Sequence, residues 1–226
     1  MRIWECFPAL AQQIRSTHEK ANLIGHHDWV HAFRVGEVAR QIALDEWREE
    51  TTSFLAGIAG MAHNADRIIQ KKSGSIPEKT AEELLEAWLQ GCAGMHSTEA
   101  IITAVISHDR KNSEKDSRVL IALMDADRVV NLDADLFARA GQHYANLPVV
   151  DYKNFLSDRE ATYRNPKSVL RDIAYSLDWV DPASGVCVRT RKGLEMADAR
   201  ANVFRTFFDA LQTQLAEEGV SLPFEQ

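Results

Sequence analysis

Apolar residues recur at three- and four-residue spacing along most of the chain, the period of an α-helix with one buried face. The pattern predicts helices over about 8–20, 28–49, 52–70, 79–92, 98–108, 116–130, 133–146, 151–163, 167–178 and 192–217. Asp28 stands where the second helix needs an N-cap, and Ser97 or Thr98 caps the fifth, with Glu99 in its first turn. The polar stretches 71–79 and 109–115 read as loops. Only 185–190, Gly-Val-Cys-Val-Arg-Thr, has a strand-like character and reads as a short hairpin arm. The region 148–151 has the composition of a boundary, but the segment after it is too amphipathic to stand alone. Residues 1–226 are therefore read as one all-α domain whose C-terminal helices, about 151–217, pack on the same body.

Polar residues that interrupt the apolar stripes carry the chemical information. His31 shares a helix face with Val35, Val38 and Ile42, and His63 shares one with Leu55 and Ala59. His108 aligns with Ile101 and Val105, and Asp127 aligns with Leu120 and with Leu123 or Met124. One such histidine is ordinarily a core residue with a satisfied ring, and Asp127 alone reads as a cap or an ion-pair partner. Four on four helices are different. A buried unpaired carboxylate costs several kcal/mol or shifts its pKa. A shared cation offsets that cost most simply. Imidazole nitrogen and carboxylate oxygen suit Mn, Fe, Co, Ni or Zn better than Ca.

Composition narrows the remaining classes. The 226 residues are 45% hydrophobic and 26% charged, an ordinary globular balance. A net charge of -7 argues against nucleic-acid polymers and anionic membranes as partners, while leaving room for a small anion held by a few local cations. Cys6, Cys92 and Cys187 are far apart, form no CxxC pair and read as small buried hydrophobes. Trp29, Trp88 and Trp179 fall in helical patterns and read as core. The first residues hold no continuous apolar h-region, and no run approaches the ~18 apolar residues of a membrane span, so the expected location is a reducing cytoplasm. There is no GxGxxG, no P-loop, no HExxH and no GxSxG elbow.

Three segments, HHDWVHAFRV around His31, GIAGMAHNADR around His63 and LIALMDADRVVNL around Asp127, resemble in their order and helical context the HD-domain superfamily of metal-dependent phosphohydrolases. That superfamily is all-helical and takes its metal ligands from a His, a His-Asp pair on the next helix and a distant Asp. GMHSTEAIITAVISHD, with His96 before a helix and His108 at its end, resembles the subset that binds two metals. The tail VCVRTRKGLEMADARANVFRTFFDALQTQL resembles the C-terminal segment of bacterial HD hydrolases, so the likeness covers about 20–215.

The resemblance implies a metal set of His31, His63, Asn64, His96, His108 and Asp127. This chain departs from the family at Asn64, where the family has Asp. A neutral amide oxygen bridges two cations poorly, and Asp127 is then the only matched carboxylate, so one ion is expected rather than two. Asp66 is a candidate substitute carboxylate; Asp109 and Asp125 are expected to lie outside the ligand set. Arg67 stands where related phosphodiesterases carry a phosphate-binding Lys, which implies a catalytic and substrate-binding role. Arg34 is a secondary substrate-binding candidate, and Arg128 reads as a structural partner. The implied activity is hydrolysis of a small phosphorylated molecule, a nucleotide, through a metal-activated water. Two alternatives stand beside it. One is a degenerate domain that binds a nucleotide or a partner without turnover, which Asn64 favours. The other is a di-iron oxygenase, which needs the full carboxylate set and which Asn64 disfavours. A homodimer is common among such folds, although nothing in the chain requires one.

Overall fold

The computed structural model describes residues 1–73, 78–92, 94–156, 160–162 and 164–220. The regular elements are α1 (Ile3–Cys6), α2 (Pro8–Ala21), α3 (Trp29–Trp47), α4 (Glu50–Ala62), α5 (Ala65–Ser73), α6 (Glu78–Leu89), α7 (Met95–Ser107), α8 (Arg118–Asn131), α9 (Leu136–His143), α10 (Val169–Tyr175) and α11 (Arg191–Glu217). Short 3-10 turns occupy Gly25–His27 and Ser176–Val180. Among the described residues there is no strand, only one isolated bridge between Thr162 and Asn165, so the chain is all-α.

Glycines set the centre of the fold. α3 and α4 pack along most of their lengths, and α8 lies against both. A Cβ built on Gly60 would stand 2.6 Å from the Gly36 Cα and 2.7 Å from the Gly36 nitrogen. Only glycine permits that approach, and it brings the His31 end of α3 beside the C-terminus of α4. Val35, Ile42, Ile58, Met61, Ile101, Leu123 and Met124 fill the core around this crossing. α11 lays Ala197, Ala201, Phe204 and Phe208 inward and contacts α8, α3 and the Ser176–Val180 turn. The C-terminal helices thus pack on the same body. The Val169 and Leu170 amides at the start of α10 donate to the Pro148 and Val149 carbonyls, so the supposed boundary is tied down.

Three expected elements differ. The helix expected over 52–70 breaks at His63 and Asn64. His63 Nδ1 donates to the Gly60 carbonyl at 2.7 Å and competes for a ladder acceptor, and α5 restarts with the Ile68 amide on the Asn64 carbonyl. The helix expected over 151–163 is replaced, in its described part, by turns at 152–156. Asp151 accepts from the Lys153 and Asn154 amides, and Phe155 takes a left-handed conformation with φ of 48°. Residues 157–159 and 163 of that helix, like 74–77 of the expected 71–79 loop, lie outside the described residues. The expected hairpin arm at 185–190 has no partner strand among the described residues. The Arg189 and Thr190 amides and the Thr190 hydroxyl all donate to one oxygen of Asp125, at 3.0, 2.8 and 2.9 Å.

The other local readings divide. Asp28 caps α3, accepting from the His31 amide at 2.7 Å. α7 begins earlier than expected, with Gly94 at its N-cap. Trp88 is buried and Trp29 packs against the core, while all three cysteines are only half-buried. No described helix is long and apolar enough to cross a membrane.

Candidate functional site

His31, His63 and Asp127 meet because α3, α4 and α8 cross where each carries one of them. His31 lies in the first turn of α3, immediately after the cap that fixes its backbone. His63 closes α4, and Asp127 sits in the C-terminal half of α8. One ligand-type atom from each lies within 4.8 Å of the other two. His31 Nε2 is 3.2 Å and His63 Nε2 is 3.8 Å from Asp127 Oδ1. Donors bound at ~2.0–2.2 Å around one tetrahedral ion stand about 3–3.5 Å apart; the His31 spacing falls in that range and the His63 spacing lies just outside it.

The histidine rings are held from behind. His63 Nδ1 donates to the Gly60 carbonyl at 2.7 Å, and His108 Nδ1 to the Val105 carbonyl at 2.6 Å. Each bond places the proton on Nδ1 and leaves Nε2 as the lone-pair nitrogen, the arrangement that metal-ligating histidines use. His31 Nδ1, by contrast, is buried without a hydrogen-bond partner. Burial, reinforced by the neighbouring His31 and His108, holds the His63 imidazole well below its ordinary pKa against the pull of Asp127, so the ring is neutral at neutral pH. Burial alone would push the Asp127 carboxyl up. The His31 hydrogen bond and the surrounding imidazoles outweigh it and hold that carboxyl far below the usual range. Asn131, one turn along α8, donates to Asp127 Oδ1 at 3.0 Å and accepts from Arg139 at 3.1 Å, which fixes the orientation of its amide.

The other expected residues divide. His108 stacks edge-on to His63 with ring centroids 5.4 Å apart and lines the same cleft, just outside the tight three-residue set. His96 does not join. It is exposed in the first turn of α7, and 12 residues at 1.5 Å rise carry it roughly 18 Å along the helix from His108. Asn64 is buried and lines the cleft, yet its Oδ1 accepts from His27 Nδ1 at 3.3 Å and its Nδ2 has no hydrogen-bond partner. Its carbonyl is therefore engaged with a neighbouring ring. Arg67 lines the cleft, with Nη2 3.3 Å from the exposed Asp109. Arg34 is instead paired with Asp133 and, at 3.0 Å, with Asp135, and does not line the cleft. Asp66 pairs with Arg67 at 3.5 Å and also stays outside it. Asp125 is fully buried beneath the 189–190 segment, and Arg128 donates to Asn112 and to the Cys187 carbonyl, a structural role as expected.

The cleft holds a cavity of about 130 Å³ behind an open mouth, small beside the roughly 300–1,000 Å³ usual for a small-molecule site. Its second wall escaped the sequence reading. His27 comes from the Gly25–His27 turn, His143 and Tyr144 from the end of α9, and Asp172, Ser176 and Trp179 from α10 and the turn after it. Asn131 was findable, since it lies four residues after Asp127 on the same face. Tyr144 and Asp172 carry no such signal, because tertiary packing alone brings them in. Tyr144 hydrogen-bonds to Asp172, and burial pushes the Asp172 carboxyl up to about 6 and the Tyr144 phenol to about 12.

No protein-family model matches the chain, and no curated protein matches it. Among solved structures, a crystal structure of a Lactobacillus plantarum protein determined by structural genomics is similar, with a TM-score of 0.65 over 93% of this chain and 96% of that one. At 17% identity the likeness is one of fold alone.

Proposed function

We propose that this chain is a metal-dependent phosphohydrolase of the HD-domain superfamily, acting on a small phosphorylated substrate such as a nucleotide. The observation that carries the reading is the convergence of His31 Nε2, His63 Nε2 and Asp127 Oδ1 from three helices, with the His63 ring fixed from behind by the Gly60 carbonyl. Two imidazoles and one carboxylate suit a single Mn, Fe, Co, Ni or Zn ion. Such a cation, when bound, supplies Lewis-acid polarisation of a phosphoryl oxygen and activation of a water molecule. Arg67 then meets the transferred phosphoryl group. Its ion pair with Asp109 is weak, because the Asp109 side chain is 60% exposed, and a phosphate can displace that carboxylate from the guanidinium fork. His108 adds an imidazole Nε2 to the same cleft, and Asn131 keeps Asp127 oriented.

A second reading, binding without turnover, is favoured by one observation: the Asn64 carbonyl is engaged with His27, so the position that is a charged ligand in the family offers no anion here. One experiment separates the two. Metal content is measured by plasma mass spectrometry on protein purified without added metal or chelator, for wild type, His63→Ala and Asn64→Asp. About one transition metal per chain, lost in His63→Ala, together with turnover of phosphoesters by the metal-loaded wild type, supports the hydrolase. Metal gained only in Asn64→Asp overturns it in favour of a binding domain.

A further inference from the structure

Three carboxylates line the cleft among the described residues: Asp109, Asp127 and Asp172. Asp127 stands among imidazoles and Asp109 faces the Arg67 guanidinium. Asp172 is different. Its neighbour is the phenol of Tyr144, and among the described residues no Lys or Arg compensates its charge. It lies on the wall built by α9, α10 and the following turn, while the proposed metal ligands come from α3, α4 and α8. A phosphoester held by the ligand wall and Arg67 would face this second wall across the same cleft.

We propose that Asp172 is the general acid of the cleft, donating a proton to the leaving-group oxygen of a phosphomonoester. The inference rests on the hydrolase reading and goes beyond it by naming the group that makes poor leaving groups accessible. The step balances. The bond from phosphorus to the ester oxygen breaks, its electron pair stays on that oxygen, and the Asp172 proton moves to it to give an alcohol. A water oxygen forms the new bond to phosphorus and releases one proton, and Asp172 recovers one proton from solvent before the next turnover.

The environment suits that task. A half-buried carboxyl without a cation keeps its proton to about pH 6, where an ordinary aspartic acid has lost it. Tyr144 moderates the shift, since its hydroxyl donates to the ionised form and pulls the carboxyl back down. The other titratable groups on the same cleft are His143 beside Tyr144, His27 from the Gly25–His27 turn, and His63, His108, Asp127, Asp109 and Arg67 from the ligand wall.

The test compares leaving groups. Wild type, Asp172→Asn and Tyr144→Phe are assayed with Mn²⁺ on nucleoside 5′-monophosphates, whose alkoxide needs a proton, and on p-nitrophenyl phosphate, whose phenolate does not. Asp172→Asn should lose about 10²–10⁴-fold in kcat on the monophosphates and less than about tenfold on the nitrophenyl ester. Tyr144→Phe should move the alkaline limb of the monophosphate profile to higher pH, which a merely structural role would not do. Equal losses of Asp172→Asn on both substrate types, or a wild type active only on the nitrophenyl ester, overturn this inference and leave the hydrolase reading standing. A wild type active on neither overturns both.

Discussion

Gly60→Ala tests whether the close crossing of α3 and α4 holds the candidate site together. The new Cβ would meet the Gly36 Cα at 2.6 Å, the Gly36 nitrogen at 2.7 Å and the Val35 carbonyl carbon at 2.9 Å, against 3.4 Å for ordinary contact. All three are backbone atoms, so no side chain can swing aside; the helices must separate by several tenths of an ångström. Overpacking of this kind costs about 1–3 kcal/mol, and a backbone clash belongs at the upper end. Alanine returns about 1 kcal/mol of helix propensity, so the net loss is about 2 kcal/mol. For a chain of this size that is a fall of roughly 4–8 °C in Tm. Gly141→Ala is the control. It sits in α9 with nothing within 4 Å of the new Cβ, and should instead gain up to about 1 kcal/mol. Separation of the helices also draws His31 from His63, whose ring centroids are 5.3 Å apart. Metal affinity of Gly60→Ala should therefore fall further than that of a variant destabilised to the same degree in α11, such as Phe208→Leu. Urea denaturation and calorimetric metal titration read both effects. A Gly60→Ala protein as stable as Gly141→Ala would refute the packing argument.

His63→Ala should abolish metal binding while His96→Ala leaves it at the wild-type level, because His96 is exposed and far along α7; loss of metal in His96→Ala, by mass spectrometry, would place that residue in the site after all. Asn64→Asp buries a second carboxylate beside Asp127, so the metal-free protein should lose about 1–3 kcal/mol while its affinity for Mn²⁺ or Co²⁺ rises at least about tenfold; thermal melts with and without metal check both signs. The Asp172 carboxyl is raised from 3.8 to about 6 on folding, so the folded state prefers the protonated form. The penalty is absent below about pH 4, grows as pH rises, and is complete above about pH 6, at about 2–3 kcal/mol. Asp172→Asn should accordingly be more stable than wild type by that amount at pH 8 and nearly equal at pH 4, and a urea midpoint difference independent of pH would contradict the assignment.

The apolar period was sufficient for the helical class and for the faces that carry His31, His63, His108 and Asp127, because burial imposes the same periodicity whatever the neighbours are. It failed where side chains take over backbone partners. His63 captures the Gly60 carbonyl and ends α4 inside an unbroken apolar stripe, and Asp125 takes the amides that a strand pair would have used. Neither event leaves a periodic trace. The ligand wall was legible for a related reason: a polar residue on an apolar stripe is conspicuous. Asp172 and Tyr144 lie in short elements with ordinary polar surroundings, and only the packing of α9 and α10 makes them part of a cleft. His96 erred in the opposite direction, since a helix of 13 residues cannot bring both its ends to one ion.

On the hydrolase reading, the charges of the cleft bear on both the ion count and the substrate. With Asn64 in place of a carboxylate, Asp127 is the only anion in the tight cluster, and Arg67 is the only Lys or Arg side chain lining the cleft among the described residues. One divalent ion leaves the centre with a net charge near +1, which a phosphate dianion and Arg67 can complete as a nearly neutral assembly. Two ions would leave about +3 with no bridging carboxylate to separate them, a repulsion that a half-buried site cannot screen. With one ion bound, Asn64 leaves the centre one positive charge higher than an Asp at that position would. It favours a terminal phosphate, doubly ionised at neutral pH, over a singly charged diester, and a terminal phosphate on an alcohol is the substrate whose departure requires a proton from Asp172.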